Sequence, residues 1–440
     1  MKNSFEIYNY IYNEILKMTV IDTHEHLLWD EKSIENQDND FFKEYLCQYL
    51  SSDIISSGLS RDDFEKVTDV KRDIEERWKI VEPFWEFSRY TGYGRAVDIS
   101  VRAIYGVDGV NGGTIAELNK KFLENKKFGH YTYVLKDLCN IETSLLDDWT
   151  SRFNVENQLF TRVWQPNIYV TPSFEFANQL KNQLESDHKI SVKTLDDWLD
   201  GIEKELDYVL ILNNNKILKC ASAYSRSLRY EKTEYKTARE LFSDALAKFD
   251  APDESKYQSA FPKPLQDYIM HHLFKLADKR GLTYQFHTGL LEGNGNTITN
   301  SDPALLTNVF LEYPNVKFDL FHISYPYQTV AAAICKMFPN VFIDMCWAHI
   351  MSPYASVEAL NDFLDAVPYN KISAFGGDYC FADAVYGHLY LARQNVARTL
   401  AGKVELGVFS EDKAVDIAKA LFYDNPKRIF QLESHKQGGI

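Results

Sequence analysis

Basic residues are in short supply in this chain. Lys and Arg number 48 against 63 Asp and Glu, a formal net charge of −15. Nucleic-acid binding draws on clustered cations that release counterions, so the deficit argues against that class. It also argues against an anionic membrane surface. Long apolar runs are missing too. One of the longer, residues 330–335, has six residues, against the 18 or more of a membrane span. The stretch M-K-N-S-F-E-I-Y-N-Y-I-Y-N-E-I-L-K-M carries acids and asparagines where a secretory signal needs an unbroken apolar core. Cysteine is sparse: six in 440 residues, at 47, 139, 220, 335, 346 and 380, with no C-x-x-C. That excludes a cysteine zinc knuckle and points to reduced thiols rather than a disulfide frame. The expectation is a cytoplasmic protein with neither nucleic acid nor membrane as partner.

Apolar residues make up 45% and charged residues 25%, the balance of a globular protein rather than of a disordered chain, a collagen or a coiled coil. A chain of 440 residues fits two or three ordinary domains or one elaborated α/β barrel. The pattern decides between them. Short β-type runs occur at residues 19–24, 141–146, 160–170, 217–224, 283–287, 316–322, 341–347 and 372–375. Helical patterns separate them, most regularly from the fifth run onward. One is stopped by Gly281 after two cations, and another opens on Ser301-Asp302-Pro303. Eight strands alternating with helices predict an α/β fold, a (β/α)8 TIM barrel. The strands read as mostly apolar, as expected when both faces are covered.

More than a hundred residues part the first two strands. Residues 27–140 are acidic, aromatic and helical in pattern, with no Gly/Ser linker on either side. They read as a helical insertion packed on the barrel mouth, the whole of 1–440 being one elaborated barrel. Aromatics such as Trp78, Phe84, Trp85 and Tyr90 require apolar burial there. A second helical elaboration spans about 173–207.

The chemistry sits at the strand ends. The first strand ends I-D-T-H-E-H, and in extended chain His24 and His26 point to one face. Chance supplies roughly 0.3 such pairs from this composition, so the pair alone says little. Three further residues change that. His287 closes the fifth strand, His322 the sixth and Asp378 the eighth. All five fall at the end of the barrel where active sites are built, and imidazoles with a carboxylate are an ordinary zinc set. Lys219 lies inside the fourth strand, where a lysine requires a reason. It is a structural ion pair, a contact to a substrate carboxylate, or a carbamylated bridge between two metals. Tyr224 and Arg226 follow in the loop, either as contacts to a polar or anionic substrate or as exposed loop residues. The L-L-E-G-N-G-N segment after His287 is a flexible polar loop, not a phosphate loop. His349 reads as a bystander.

The set H-x-H, His, His, Asp after strands one, five, six and eight resembles the amidohydrolase superfamily over essentially the whole chain. K-C-A-S-A-Y-S-R-S-L, Q-F-H-T-G, F-H-I-S-Y-P and G-G-D-Y are similar to amidohydrolase-related ("amidohydrolase 2") proteins. The long helical insertion and the ending A-L-F-Y-D-N-P-K-R-I-F are similar to uronate isomerase. The resemblance implies that His24, His26, His287 and Asp378 surround a divalent metal, zinc being the expected ion. It implies that His322 ligates a second metal or bonds water and substrate. Lys219 sits several residues before the end of its run, which favours one tight metal with Lys219, Tyr224 and Arg226 as substrate contacts.

The implied activity is metal-dependent hydrolysis of an amide, ester or related bond in a small polar or anionic substrate, Asp378 being the general base and His322 its catalytic companion. Uronate-isomerase-like aldose/ketose isomerisation on the same residues is the alternative. A non-catalytic metal-binding protein is the lesser one. The sequence permits a homo-oligomer.

Overall fold

The computed structural model describes residues 3–147, 159–214, 216–249 and 259–432. Eight parallel strands form its centre: β1 (Val20–Glu25), β2 (Ile141–Leu146), β3 (Phe160–Arg162), β4 (Ile217–Cys220), β5 (Thr283–Phe286), β6 (Lys317–Leu320), β7 (Val341–Asp344) and β8 (Ile372–Ser373). They pair in chain order as a three-stranded sheet, β1-β2-β3, and a five-stranded sheet, β4 to β8. Backbone hydrogen bonds join the two sheets at both seams. Trp164, just past β3, donates to Ile217 O and accepts from Lys219 N. At the other seam Thr23 N donates to Phe375 O, Asp378 N to His24 O and His26 N to Tyr379 O. The strands thus run in a ring, the (β/α)8 arrangement that the sequence pattern predicts.

From β3 onward every strand stops short of the carboxyl end suggested by its apolar run. The tips turn away in left-handed backbone: φ is 64° at His322, 60° at Trp347 and 62° at Asp378. Residues other than glycine rarely sit there, and such conformations concentrate at sites where geometry is imposed for function. The chain leaves the ladder at the residues whose side chains face the mouth.

Helices cover the strands. Gly281 terminates Lys263–Arg280 in left-handed conformation, its N–H returning to Ala277 O and Asp278 O. Asp302 caps the turn Pro303–Leu306 by accepting from Ala304 N. Between residues 31 and 138 the regular elements are all helices, the long pieces Ile74–Ser88 and Gly92–Tyr105 among them. Trp78 and Trp85 are buried there, but Tyr90 is 75% exposed. It lies in the turn between those two helices and has no core face to occupy. Among the described residues no helix is long and apolar enough to cross a membrane.

Gly92–Tyr105 lies against the 24-residue helix Ala382–Glu405 at a glycine. A Cβ on Gly387 would meet the Ala96 carbonyl and Ser100 Oγ. Alanine normally gains up to about 1 kcal/mol over glycine inside a helix, but backbone cannot yield here and overpacking costs about 1–3 kcal/mol. Gly387→Ala is therefore expected to lower the urea midpoint. An unchanged or raised midpoint contradicts this packing.

The barrel interior is more polar than the strands' apolar character suggests. Asp22, Glu25, Asp319 and Asp344 are wholly buried. Ser144 Oγ and Gly377 N donate to Asp22, Tyr379 N to Glu25, and Thr23 Oγ1 and Cys346 N to Asp344. Burial pushes Asp22 up to about 6 and Asp344 up to about 7. Burial first, then the neighbouring carboxyl, raises Glu25 and Asp319 well above the usual range.

Candidate functional site

The carboxyl ends of the strands surround a cavity of about 590 Å³, a size suited to a small molecule. His24, on β1, and His26, just beyond it, lie with ring centroids 4.8 Å apart, edge to face. His287 follows β5 and His322 follows β6, their centroids 4.3 Å apart. Asp378, beyond β8, stands between the pairs. Its Oδ1 is 3.4 Å from His26 Nε2 and 3.7 Å from His24 Nε2; its Oδ2 is 3.8 Å from His322 Nε2. Four imidazoles and one carboxylate that are far apart in sequence meet here.

The outer nitrogens of three of the imidazoles are committed, and that of His24, Nδ1, has no hydrogen-bond partner among the described residues. A carbonyl oxygen only accepts, so it fixes which ring nitrogen bears hydrogen. His26 Nδ1 donates to Asp147 O at 2.8 Å, His322 Nδ1 to Cys346 O at 3.0 Å and His287 Nε2 to Leu290 O at 2.8 Å. The lone pairs of His287 Nδ1 and His322 Nε2 turn inward and face each other at 3.1 Å, while His26 Nε2 is paired with the Asp378 carboxylate. Acceptors aimed at acceptors leave room for a cation, and an outer N–H given to a carbonyl is the support that metal-bound imidazoles use. The residues present therefore fit a divalent ion. Two separate groups among the described residues each have ligand-type atoms within 4.8 Å of one another: His24, His26 and Asp147, and His322, Cys346 and Asp378.

Burial is the main cause that holds His24 and His287 well below the usual imidazole range and brings His322 down to about 4. Neutral rings are what a cation requires. His26 goes the other way, because Asp378 and Asp147 more than offset the lowering by burial. Burial opposes ionisation of Asp378, but the bond with His26 and the rings of His24 and His322 outweigh it. Its carboxyl is held well below the usual range.

Lys219 reaches this cluster. Its Nζ stands 3.2 Å from His24 Nε2 and 3.8 Å from the centre of the Phe321 ring. The sequence reading placed it well before the strand tip, which is corrected here: β4 ends at Cys220, because the chain turns through Ser222–Tyr224. Tyr224 lines the cavity, its ring 4.8 Å from that of His287. Its Oη accepts from Glu292 N at 3.1 Å, which leaves its own hydrogen to donate. Arg226 is not brought to the cavity, against the expectation of a substrate contact. Its guanidinium turns inward to Asp267 Oδ1 at 2.6 Å, to Gln266 Oε1 and to Arg229 O, over the Tyr230 ring. His349 is also turned away, toward Ala374 O and Asn395.

Sequence reasoning passed over several residues. Asp147 follows β2 directly, and its Oδ2 accepts from Gln165 Nε2 and lies 3.9 Å from His24 Nε2. The rule that found the other strand-tip residues would have found it too. Gln48 and Tyr49, from the long segment between β1 and β2, carry no such signal. Gln48 Nε2 and Tyr49 Oη both donate to Asp378 O, and Cys380 N donates to Gln48 Oε1. They grip the backbone on both sides of the carboxylate.

Residues 248–432 match the family model described as amidohydrolase. Protein fluG of Emericella nidulans is 27% identical over 176 residues, 39% of this chain, and the match spans about a fifth of that relative's length, 20%. Uronate isomerase from Thermotoga maritima has a similar fold at TM-score 0.76, with 15% identity and 97% of each chain covered. Glucuronate isomerase from Caulobacter crescentus superposes at 0.72, with 15% identity, covering 99% of this chain and 95% of that one. A candidate metal-dependent hydrolase from Lactobacillus casei superposes at 0.67, with 13% identity, covering 96% and 97%. These three likenesses are of fold. Residues 248–432 are thus similar to the amidohydrolase family, and the chain as a whole shares its fold with these solved structures.

Proposed function

We propose that the chain is a metal-dependent hydrolase acting on an amide, ester or related bond of a small polar molecule. The observation that carries this reading is the convergence of inward lone pairs and one ionised carboxylate on a cavity open to ligand. His24, His26, His287 and Asp378 would hold the metal, zinc being the expected ion, with Asp147 as a further oxygen donor. When bound, such an ion supplies Lewis acidity, which polarises a carbonyl and makes water a nucleophile near neutral pH.

The chain's own groups supply the rest. Asp378 takes a proton from water and hands it to the leaving group. His322, whose Nδ1–H is committed to Cys346 O, presents a lone pair at Nε2. It accepts a hydrogen bond from water or substrate there and so orients it beside Asp378 Oδ2. Tyr224 donates its free O–H to the substrate. Residues 27–140 cap the mouth and help exclude water, Gln48 and Tyr49 being their point of contact with Asp378. The absence of disulfides among the six cysteines supports a reducing, cytoplasmic setting.

Isomerisation of a sugar acid is the second reading, favoured by the likeness of fold to uronate and glucuronate isomerases over nearly the whole chain. Incubation with hexuronates and a keto-sugar assay separates the two. Keto-sugar formation, without cleavage of any amide or ester, overturns the hydrolase.

Lys219 decides the number of metals. The place of Lys219 Nζ over the Phe321 ring and beside His24 Nε2 supports one metal, with Lys219 as a neighbour of the site rather than a carbamylated bridge. Elemental analysis should find close to one equivalent of metal, the Lys219→Ala variant should keep it, and bicarbonate should not raise activity. Two equivalents, falling in the variant, with activity dependent on bicarbonate, would establish a bridged pair instead.

A further inference from the structure

We propose that the cavity selects substrates bearing a positively charged group, an ammonium or guanidinium, and that Glu292 recognises it. The inference rests on the cluster being the active site and goes beyond it to the chemistry of the substrate.

Charge in the lining is unevenly spread. Among the described residues it includes Asp147, Glu292 and Asp378 against one fixed cation, Lys219, and it has no arginine. Lys219 is already engaged by His24 and Phe321 and is 2% exposed. Arg226, the nearest arginine in sequence to the cavity-lining Tyr224, is locked to Asp267. Asp147 and Asp378 belong to the metal-type cluster. Glu292 is left. It lines the cavity, is partly buried, and no cation among the described residues pairs with it.

Its position is built rather than incidental. Its N–H donates to Tyr224 Oη, and its carbonyl accepts from Asn296 Nδ2 at 2.7 Å. Asn294 Nδ2 donates to Ser52 O at 3.1 Å, which ties the same loop to the helix Leu50–Ser56. Since the Tyr224 ring packs on His287, the backbone of Glu292 is linked to the cluster through that one tyrosine. A half-buried carboxylate without a partner is unfavourable, and a cationic ligand supplies the partner through a charge-assisted hydrogen bond. An anionic group in the same place meets like charge. Ile168, Pro172 and Phe176 give the cavity an apolar wall for a short spacer. The substrate class is a small amide or ester whose acyl or amine part ends in a cation.

The test uses three matched probes, the 4-nitroanilides of 5-aminopentanoic, pentanoic and glutaric acids, which end in a cation, a methyl group and an anion. Binding to the full chain supplemented with zinc is measured by calorimetry. The cationic probe should bind about tenfold tighter than the neutral one, the effect of one hydrogen bond to a charged group, and the anionic probe most weakly. In Glu292→Gln the cationic-to-neutral ratio should fall to near one, and Glu292→Lys should turn the preference toward the anion. Equal affinities, tightest binding of the anion, a preference that persists in Glu292→Gln, or no saturable binding of any probe overturns the proposal. Release of 4-nitroaniline, read in the same samples, bears on hydrolysis alone. A cationic preference without release upholds the role of Glu292 and rejects the hydrolase, and release without that preference does the reverse.

Discussion

The Asp378→Asn variant should fold and lose about 10²- to 10⁴-fold in turnover, the usual contribution of general-base catalysis. The substitution isolates chemistry from architecture. The backbone of Asp378 is held by its N–H to His24 O and by Gln48 and Tyr49 on its carbonyl, and none of these contacts involves the carboxylate. Asparagine has the same shape and tolerates the left-handed φ of 62° better than most residues. What is lost is the charge between His26 and His322 and the ability to carry a proton. One amide oxygen cannot replace two carboxylate oxygens, Oδ1 turned to the first pair of imidazoles and Oδ2 to the second. The measurement is kcat/KM on the cleaved substrate, together with the thermal midpoint. Near-full activity with an unchanged midpoint removes Asp378 from the mechanism.

Arg226→Ala is expected to act on stability, by about 3 kcal/mol. Breaking a buried ion pair from one side leaves the other charge uncompensated, and such losses run to about 3–5 kcal/mol. Lys263 Nζ, 2.7 Å from Asp267 Oδ2, and Glu231 N remain to soften it, so the lower end applies. Asp267 is 2% exposed and Arg226 8%, so solvent does little to screen the pair. Urea unfolding should show the loss, while the affinity of folded protein for its ligand stays unchanged. Weakened binding with an unchanged unfolding midpoint would restore Arg226 to the site as a substrate contact.

These two residues also show how far the sequence can be read. Asp378 was legible because its strand is: an apolar run, a glycine pair, then a carboxylate at a tip. The same logic located His24, His26, His287 and His322. It located β2 to the residue and placed the beginnings of the other strands within a residue. It failed on where strands end. The apolar runs through residues 170 and 347 continue past the last ladder bond because the turns there are nearly as buried as the strands. The run through 224 continues because Ser222 and Ala223 are buried, although Tyr224 is not. That error made Lys219 look remote from the site. Arg226 was misread for a related reason. Its neighbour Tyr224 faces the cavity, but the turn at Ser222–Tyr224 reverses the chain and sends the next long side chain toward Asp267, 41 residues away in sequence.

The sequence by itself determined the fold class and the identity of the mouth. Alternation of apolar strands and amphipathic helices admits few architectures, and in a parallel barrel all strand tips share one end. It placed His24, His26, His287, His322 and Asp378 at those tips as well, while Asp147 was passed over. Tertiary structure alone decided how the donors face one another. Which nitrogen turns inward depends on the carbonyls of Asp147, Leu290 and Cys346; those of Asp147 and Cys346 come from the ends of β2 and β7, and that of Leu290 from the loop that follows His287 itself. It alone put Gln48 and Tyr49 on Asp378, and Glu292 in the cavity with no cation among the described residues beside it. Pairing between side chains hundreds of residues apart leaves no periodic trace along the chain. It exists only once the barrel has closed and the intervening segments have packed on it.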